Sequence, residues 1–243
     1  MSVKNKPAIE AYIGASGSGK GVSIGQRLRE LQPARLIIWD PRNEYSKQAR
    51  PVSNLAHLVR DVRQAGAGGF RLRFVPGAAM DLADCFGIVC KLAFAAGNLV
   101  FVAEELSDVT TASHSPPAWR RINTQGRHAG LHVLGAAQRP ALIDKTFLAN
   151  CTLVRCFQLN FENDIEAMAK QMRVPADLVA SLVTADTDTG ATIMALEYVG
   201  RTRELSAVQI KVSASGVREE KRPYVAGSTQ TAGKPRTARR KAT

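Results

Sequence analysis

No apolar run in this chain is long enough to cross a bilayer. The longest, around Ile88 to Ala96, is broken by Lys91, far short of the ~20 residues a spanning helix needs. No secretory leader is expected, because Lys4 and Lys6 precede the first strand pattern where an apolar segment would stand. The expectation is a protein that is neither secreted nor anchored by a transmembrane segment. Cysteine is scarce: the four are Cys85, Cys90, Cys151 and Cys156. Their spacing is not that of zinc ligands, and each sits in an apolar stretch, which predicts buried, reduced thiols and a cytosolic compartment. Acidic residues are in deficit, 21 against 33 Lys and Arg, for a net charge of +12. Such a balance suggests a polyanionic partner, most often nucleic acid, without identifying DNA. What remains is ample for a core: 243 residues, 45% of them hydrophobic, suffice for one α/β domain with a short appendage.

The most informative segment is Gly14-Ala15-Ser16-Gly17-Ser18-Gly19-Lys20-Gly21, directly after the apolar Ala11-Tyr12-Ile13. A strand that enters a glycine-rich turn ending in Gly-Lys, then a helix, is a phosphate cradle. Glycines let successive N–H groups turn inward, the helix N-terminus adds positive potential, and Lys20 reaches the outer phosphates. Ile24, Leu28 and Leu31 supply the apolar stripe of the following helix, and Pro33 ends it. The pattern predicts binding of a nucleoside triphosphate, ATP with Mg²⁺. One position departs from it: the residue after the lysine, usually a Ser or Thr that ligates Mg²⁺, is Gly21. Ser23 or a water would then supply that ligand, or acidic residues elsewhere would carry more of the metal. Gly-Lys-Gly also occurs in adenylate-kinase-type loops, which keeps a small-molecule kinase in view.

Apolar runs alternate with amphipathic stretches as far as about residue 183. Strands are expected at 9–13, 36–39, 70–75, 99–103, 131–136 and 152–159. Helices are expected at 20–31, 54–64, 81–95, 118–128, 143–149 and 163–172, with one more after Pro175. This predicts a mostly parallel sheet covered by helices on both faces. Segments 191–199 and 203–212 read as a terminal β-hairpin. The domain is expected to span 1–212, and 213–243, rich in Lys, Arg, Gly, Ser, Thr and Pro, to be a disordered basic tail. From Arg218 onward eight Lys and Arg face only Glu219 and Glu220.

Two other strand ends carry chemistry. Leu99-Val100-Phe101-Val102-Ala103 runs into Glu104-Glu105, placing paired carboxylates at the carboxyl edge of a parallel strand, where α/β sheets bind ligands. In a P-loop ATPase the first acid holds Mg²⁺ through water and the second polarises the attacking water; here Glu104 stands where an Asp is usual. A kinase needs no water-activating carboxylate, so the pair argues against one. The strand Leu131–Ala137 ends at Gln138, whose amide suits a γ-phosphate or the attacking water. Between them, Arg127 is the first candidate for an arginine that neutralises a neighbouring subunit's γ-phosphate, with Arg121 and Arg139 in reserve. A solvated basic face or a DNA-backbone contact explains Arg127 as well. Asp40, before Pro41, either lies near the nucleotide or initiates the turn.

Taken in order, these segments resemble the FtsK–HerA superfamily of nucleic-acid-pumping ATPases, and among them the genome-packaging ATPases of tailless, membrane-containing phages. The resemblance rests on Gly14…Gly19-Lys20, Leu36…Asp40-Pro41-Arg42-Asn43-Glu44-Tyr45, Phe70…Val75-Pro76, Glu104-Glu105, Arg127-His128-Ala129-Gly130-Leu131 and Gln138-Arg139-Pro140…Ile143-Asp144-Lys145. It covers about residues 8–160. It implies a RecA-like domain that assembles as a homo-oligomeric, hexameric ring with sites between subunits. Lys20 would hold the phosphates, Glu104 Mg²⁺, Glu105 the water, Gln138 would act as sensor, and an arginine would arrive in trans. Hydrolysis would move double-stranded DNA into a preformed capsid, in the host cytoplasm or at the packaging vertex with capsid proteins as partners. Filamentous-phage assembly ATPases of the zonula-occludens-toxin type share the core but generally carry a membrane anchor. A prophage or host DNA-transfer ATPase stays open, as does a non-hydrolysing ATP-dependent scaffold.

Overall fold

The structure, a computed structural model, describes residues 8–224. Its centre is strand β1 (Ala8–Ile13), which leads into the glycine-rich turn and helix α1 (Lys20–Leu31). Seven strands run parallel: β1, β2 (Arg35–Trp39), β3 (Arg50–Val52), β4 (Phe70–Phe74), β5 (Leu99–Ala103), β6 (Leu131–Ala137) and β7 (Leu153–Cys156). Their order across the sheet is β7-β1-β6-β5-β2-β4-β3. Strand β6 therefore lies between β1 and β5, and the register aligns Ile13 with Ala137 and Ala103 with Gly135. That alignment brings the turn after β1, the carboxylates after β5 and the amide after β6 to one edge. The expected strands and helices thus form the expected α/β arrangement.

Helix coverage of the two faces is unequal. Helices α2 (Leu55–Ala65), α3 (Leu82–Ala96), α4 (Pro117–Gln125), α5 (Lys145–Asn150), α6 (Glu162–Met172) and α7 (Ala176–Ala180) bury their apolar sides on one face. Among the described residues, α1 alone covers the other, packing Ile24 and Leu28 on Tyr12, Leu36, Ile38 and Leu134. Alternation along the strands sorts the side chains: Ala11 and Ile13 join the first core, Tyr12 the second. Strand β5 is buried along its whole length, as its unbroken apolar run requires. The larger core is built round a chain of aromatic contacts, Trp39–Phe86, Phe86–Trp119 and Trp119–Phe147, with ring centroids 5.3–5.4 Å apart. Truncating one of these to Ala would cost about 3–5 kcal/mol. Cys85, Cys90 and Cys156 are buried thiols, and burial raises the pKa of each.

Beyond β7 the sheet becomes antiparallel. Strand β8 (Thr184–Thr187) pairs with β9 (Gly190–Val199), which pairs with β7 and with β10 (Glu204–Ser213). The expected hairpin is β9–β10. A third strand, β11 (Gly216–Pro223), extends it, so the order at position 212 continues to Tyr224. The charges that read as a solvated tail are the reason. Arg155 on β7 bonds Glu197 on β9 (Nε to Oε2, 3.0 Å) and Glu219 on β11 (Nη1 to Oε2, 2.8 Å), and Lys221 bonds Glu197. Charged residues alternating on a strand satisfy a buried guanidinium, which hydropathy alone does not reveal. The rest of the tail, 225–243, lies outside the described residues.

Candidate nucleotide-binding site

The turn after β1 is anchored to the sheet at both neighbours. Gly14 N donates to Ala137 O at 3.1 Å and Ala15 N to Gln158 O at 2.8 Å. A side chain at Gly14 would collide with its surroundings, because a Cβ there would lie 2.7 Å from Phe157 Cβ. Gly19 has φ of 99° and no room for a Cβ against Ile193, so only glycine closes the turn before the helix. Lys20 folds back over the turn, its Nζ donating to Gly14 O (2.8 Å) and Ala15 O (3.0 Å). Burial lowers its pKa, opposed by the carboxylates of Glu104, Glu105 and Glu44.

Above this turn opens a cavity of about 720 Å³, lined by Ser16, Gly17, Gly19, Lys20 and Gly21 of the loop, and by Glu104, Glu105 and Gln138 from the two strand ends. The remaining wall is the β2–β3 connection, with Arg42, Glu44, Tyr45 and Gln48. Glu104 is buried, and burial pushes its pKa up to about 7 despite the Tyr45 hydroxyl and Lys20, which pull it down. Tyr45 Oη donates to Glu104 Oε1, and burial beside that carboxylate raises the phenol's own pKa. Glu105 has φ of 47°, a left-handed conformation unusual for a residue with a side chain, at the start of a short 3₁₀ turn, Leu106–Asp108. The strained backbone aims its carboxylate at Gln138, whose Nε2 donates to Glu105 Oε2 at 2.5 Å.

The structure thus brings together Lys20, Glu104, Glu105, Gln138 and most of the 14–21 loop. It does not bring Ser23. That side chain is buried deeper along α1, its Oγ accepts from Arg155 Nη1 at 2.7 Å, and it does not line the cavity. Three residues past Lys20 is nearly one turn further along α1, about 4.5 Å of rise away from the loop, and there Ser23 is bonded to Arg155 of β7. Asp40 is a turn residue: fully buried, it accepts from Glu44 N (2.8 Å) and Tyr45 N (3.1 Å) and pairs with Arg73 Nη1 at 2.8 Å. Arg127 is exposed at the opposite edge of the sheet, beside Ala8 and Asn150, and forms no ion pair among the described residues. Arg139 is committed to Asp164 (Nε to Oδ2, 2.6 Å) and stacks on Phe161. Arg121 stacks on Phe94. Glu44, Tyr45, Arg42 and Gln48 escaped the residue-by-residue reading, although Asp40-Pro41-Arg42-Asn43-Glu44-Tyr45 carries the only signal for them, a polar turn following a buried strand.

A parallel sheet with a Gly-Lys turn after its central strand, and an acid pair and amide on the strands beside it, defines a P-loop NTPase. No protein-family model matches the chain. Protein P9 of Pseudoalteromonas phage PM2 is 28% identical to it over 164 residues, 66% of this chain and 72% of that protein. The fold is shared with genome packaging NTPase B204 of Sulfolobus turreted icosahedral virus 2. Its complex with AMPPCP aligns with a TM-score of 0.63 at 19% identity, covering 82% of this chain and 96% of that one. Its complex with ATP-gammaS gives 0.64 at 18% identity, covering 83% and 96%. B204 of Sulfolobus Turreted Icosahedral Virus, described as a DNA-packaging ATPase, aligns with a TM-score of 0.57 at 18% identity, covering 84% and 97%. Among the described residues no helix is long and apolar enough to cross a membrane.

Proposed function

We propose that this chain is an ATP-hydrolysing motor that moves double-stranded DNA and packages a viral genome into a preformed capsid. The observation that carries the reading is the Glu105–Gln138 pair, held over a lysine-bearing phosphate loop in one cavity. A buried carboxylate bonded to an amide at the mouth of a phosphate cradle suits a general base acting on water. Lys20 exchanges its two loop carbonyls for phosphate oxygens when ATP enters. Glu105 accepts the proton of the attacking water, and Gln138 orients that water or the γ-phosphate. The likeness to PM2 protein P9 and to the B204 fold supports the packaging assignment.

Among the described residues no three His, Cys, Asp or Glu side chains gather to hold a metal unaided. Mg²⁺ needs no such group, since it binds through phosphate oxygens and waters with one or two carboxylates. Glu104 is the carboxylate placed for it, and Mg²⁺ when bound neutralises charge on the phosphates. Arg127 stands on the far edge from its own cavity, so if it neutralises a γ-phosphate it does so in trans, on the next subunit of a hexameric ring.

Steady-state ATP hydrolysis with Mg²⁺, with and without double-stranded DNA, tests the proposal in wild type and Glu105→Gln. Turnover that DNA stimulates and the substitution abolishes is the expected result. Nucleotide binding without turnover in verified oligomers would instead make the chain an ATP-dependent scaffold.

A further inference from the structure

The loop of this chain carries no hydroxyl after Lys20, and Ser23 does not replace it, since its Oγ is taken by Arg155. The space that a side chain at position 21 would occupy is approached from the other side of the cavity. A Cβ on Gly21 would lie 3.7 Å from Glu44 Oε2 and 4.0 Å from Tyr45 Oη, the nearest atoms beyond its chain neighbours and its own helix backbone. Two oxygens therefore lie against the place where a Ser or Thr side chain would begin, and one belongs to a hydroxyl already bonded to Glu104. We infer that Glu44 and Tyr45 supply from the β2–β3 connection the metal-directed oxygens that the phosphate loop lacks at Gly21. The inference rests on the pocket being a Mg²⁺–ATP site.

The connection holds the backbone of both residues and the Tyr45 hydroxyl in place. The Asp40 carboxylate accepts both backbone N–H groups, of Glu44 and of Tyr45, and is itself fixed by Arg73. Arg73 also bonds Ala49 O (3.2 Å), closing the connection at its far end. Tyr45 is 1% exposed and packs in the smaller core, so its phenol has one orientation. Charge points the same way. Three carboxylates, of Glu44, Glu104 and Glu105, face the cavity, against Lys20 and an Arg42 that is paired with Asp108. A carboxylate in place of a neutral hydroxyl raises the attraction for a hard divalent cation, which takes oxygen ligands. Glycine at position 21 is what leaves room for this substitution.

The test uses the full chain and two separate readings. Affinity for a fluorescent ATP analogue is measured in EDTA, and the affinity of the protein–ADP complex for Mn²⁺ is measured by electron paramagnetic resonance. Glu44→Gln, at an exposed position, and Tyr45→Phe are each expected to weaken Mn²⁺ binding at least ~10-fold, the scale of losing an orienting group at a metal. Metal-free nucleotide affinity should not fall in parallel, since losing a carboxylate from the cavity does not weaken an anion's binding. Adding Gly21→Ser to Tyr45→Phe should restore Mn²⁺ binding, since the hydroxyl returns to its usual place. If wild type binds Mn²⁺ with ADP while both single variants bind it equally well, the inference is overturned and the Mg²⁺–ATP reading stands. If Gly21→Ser fails to restore a loss in Tyr45→Phe, Tyr45 merely packs the loop and the inference is likewise overturned. If wild-type protein with ADP takes up no Mn²⁺, the underlying reading of the site fails with it.

Discussion

Gln138 donates from Nε2 to Glu105 Oε2 at 2.5 Å, joining the carboxyl ends of two adjacent parallel strands above the phosphate loop. Each residue lies just past the end of its strand, so sheet register and the left-handed turn at Glu105 together set their separation. The two side chains can be removed one at a time. Glu105→Gln is expected to lower kcat for ATP by about 10²–10⁴-fold with nucleotide binding retained. Gln138→Ala removes one donor and should lower kcat by about 10²-fold. Steady-state turnover beside nucleotide-binding isotherms checks both. A Glu105→Gln protein that turns over normally would remove Glu105 from the chemistry.

Arg127 and Lys20 lie at opposite edges of the sheet, so a site that uses both must draw them from two subunits. Arg127→Ala and Lys20→Ala are each expected to be inactive. Mixed and reassembled, they should regain partial ATPase activity, because some interfaces then pair an intact Lys20 with an intact Arg127. Mixtures as inactive as the parents would leave Arg127 as a surface or DNA-contacting residue.

Glu10 on β1 accepts from Tyr12 Oη (2.7 Å) and from Arg27 Nη2 (2.8 Å), and sits 2.7 Å from His132 Nε2. Burial would raise its pKa, but His132 and Arg27 together lower it from 4.5 to about 2. A carboxyl more acidic in the folded state stabilises the fold above its unfolded value and loses that contribution as pH falls through the folded one. The shift corresponds to on the order of 3 kcal/mol. Urea midpoints should therefore fall between about pH 4.5 and pH 2, and Glu10→Gln should flatten that part of the profile. An unchanged profile would mean that the pairing adds nothing to stability.

Truncation distinguishes β11 from the basic chain beyond it. Removing residues after Tyr224 takes away Lys234, Arg236, Arg239, Arg240 and Lys241 without touching the described sheet. Stability should hold, while affinity for double-stranded DNA falls and its logarithmic salt dependence weakens by roughly four. Removing residues after Ser213 instead strips Glu219 from Arg155 and Lys221 from Glu197, and should cost about 2 kcal/mol or more. Equal urea midpoints for the two truncations would show that β11 is dispensable, and an unchanged salt series would reject the tail's role in DNA binding.

Legibility in the sequence tracked the range of the interactions. The Gly14–Gly21 turn, the acid pair after Phe101-Val102-Ala103 and Gln138 after its apolar strand were all readable, because strand periodicity and adjacent residues carry those signals. Where the Ser23 hydroxyl lies was not legible, because nearness in sequence to Lys20 does not reveal its bond to Arg155 on a distant strand. Strand β11 was missed because its residues are stabilised by Arg155 and Glu197, far away in the chain.

The sequence by itself determined the α/β class, the phosphate turn and which strand ends bear chemical groups, since backbone propensity and local alternation act over a few residues. Tertiary structure decided the rest: that β6 lies between β1 and β5, that Arg127 faces away from its own cavity, and that Asp40 and Arg73 hold Glu44 and Tyr45 against Gly21. Those outcomes depend on strand order, register and buried ion pairing, which join residues 30 or more positions apart and leave no local trace.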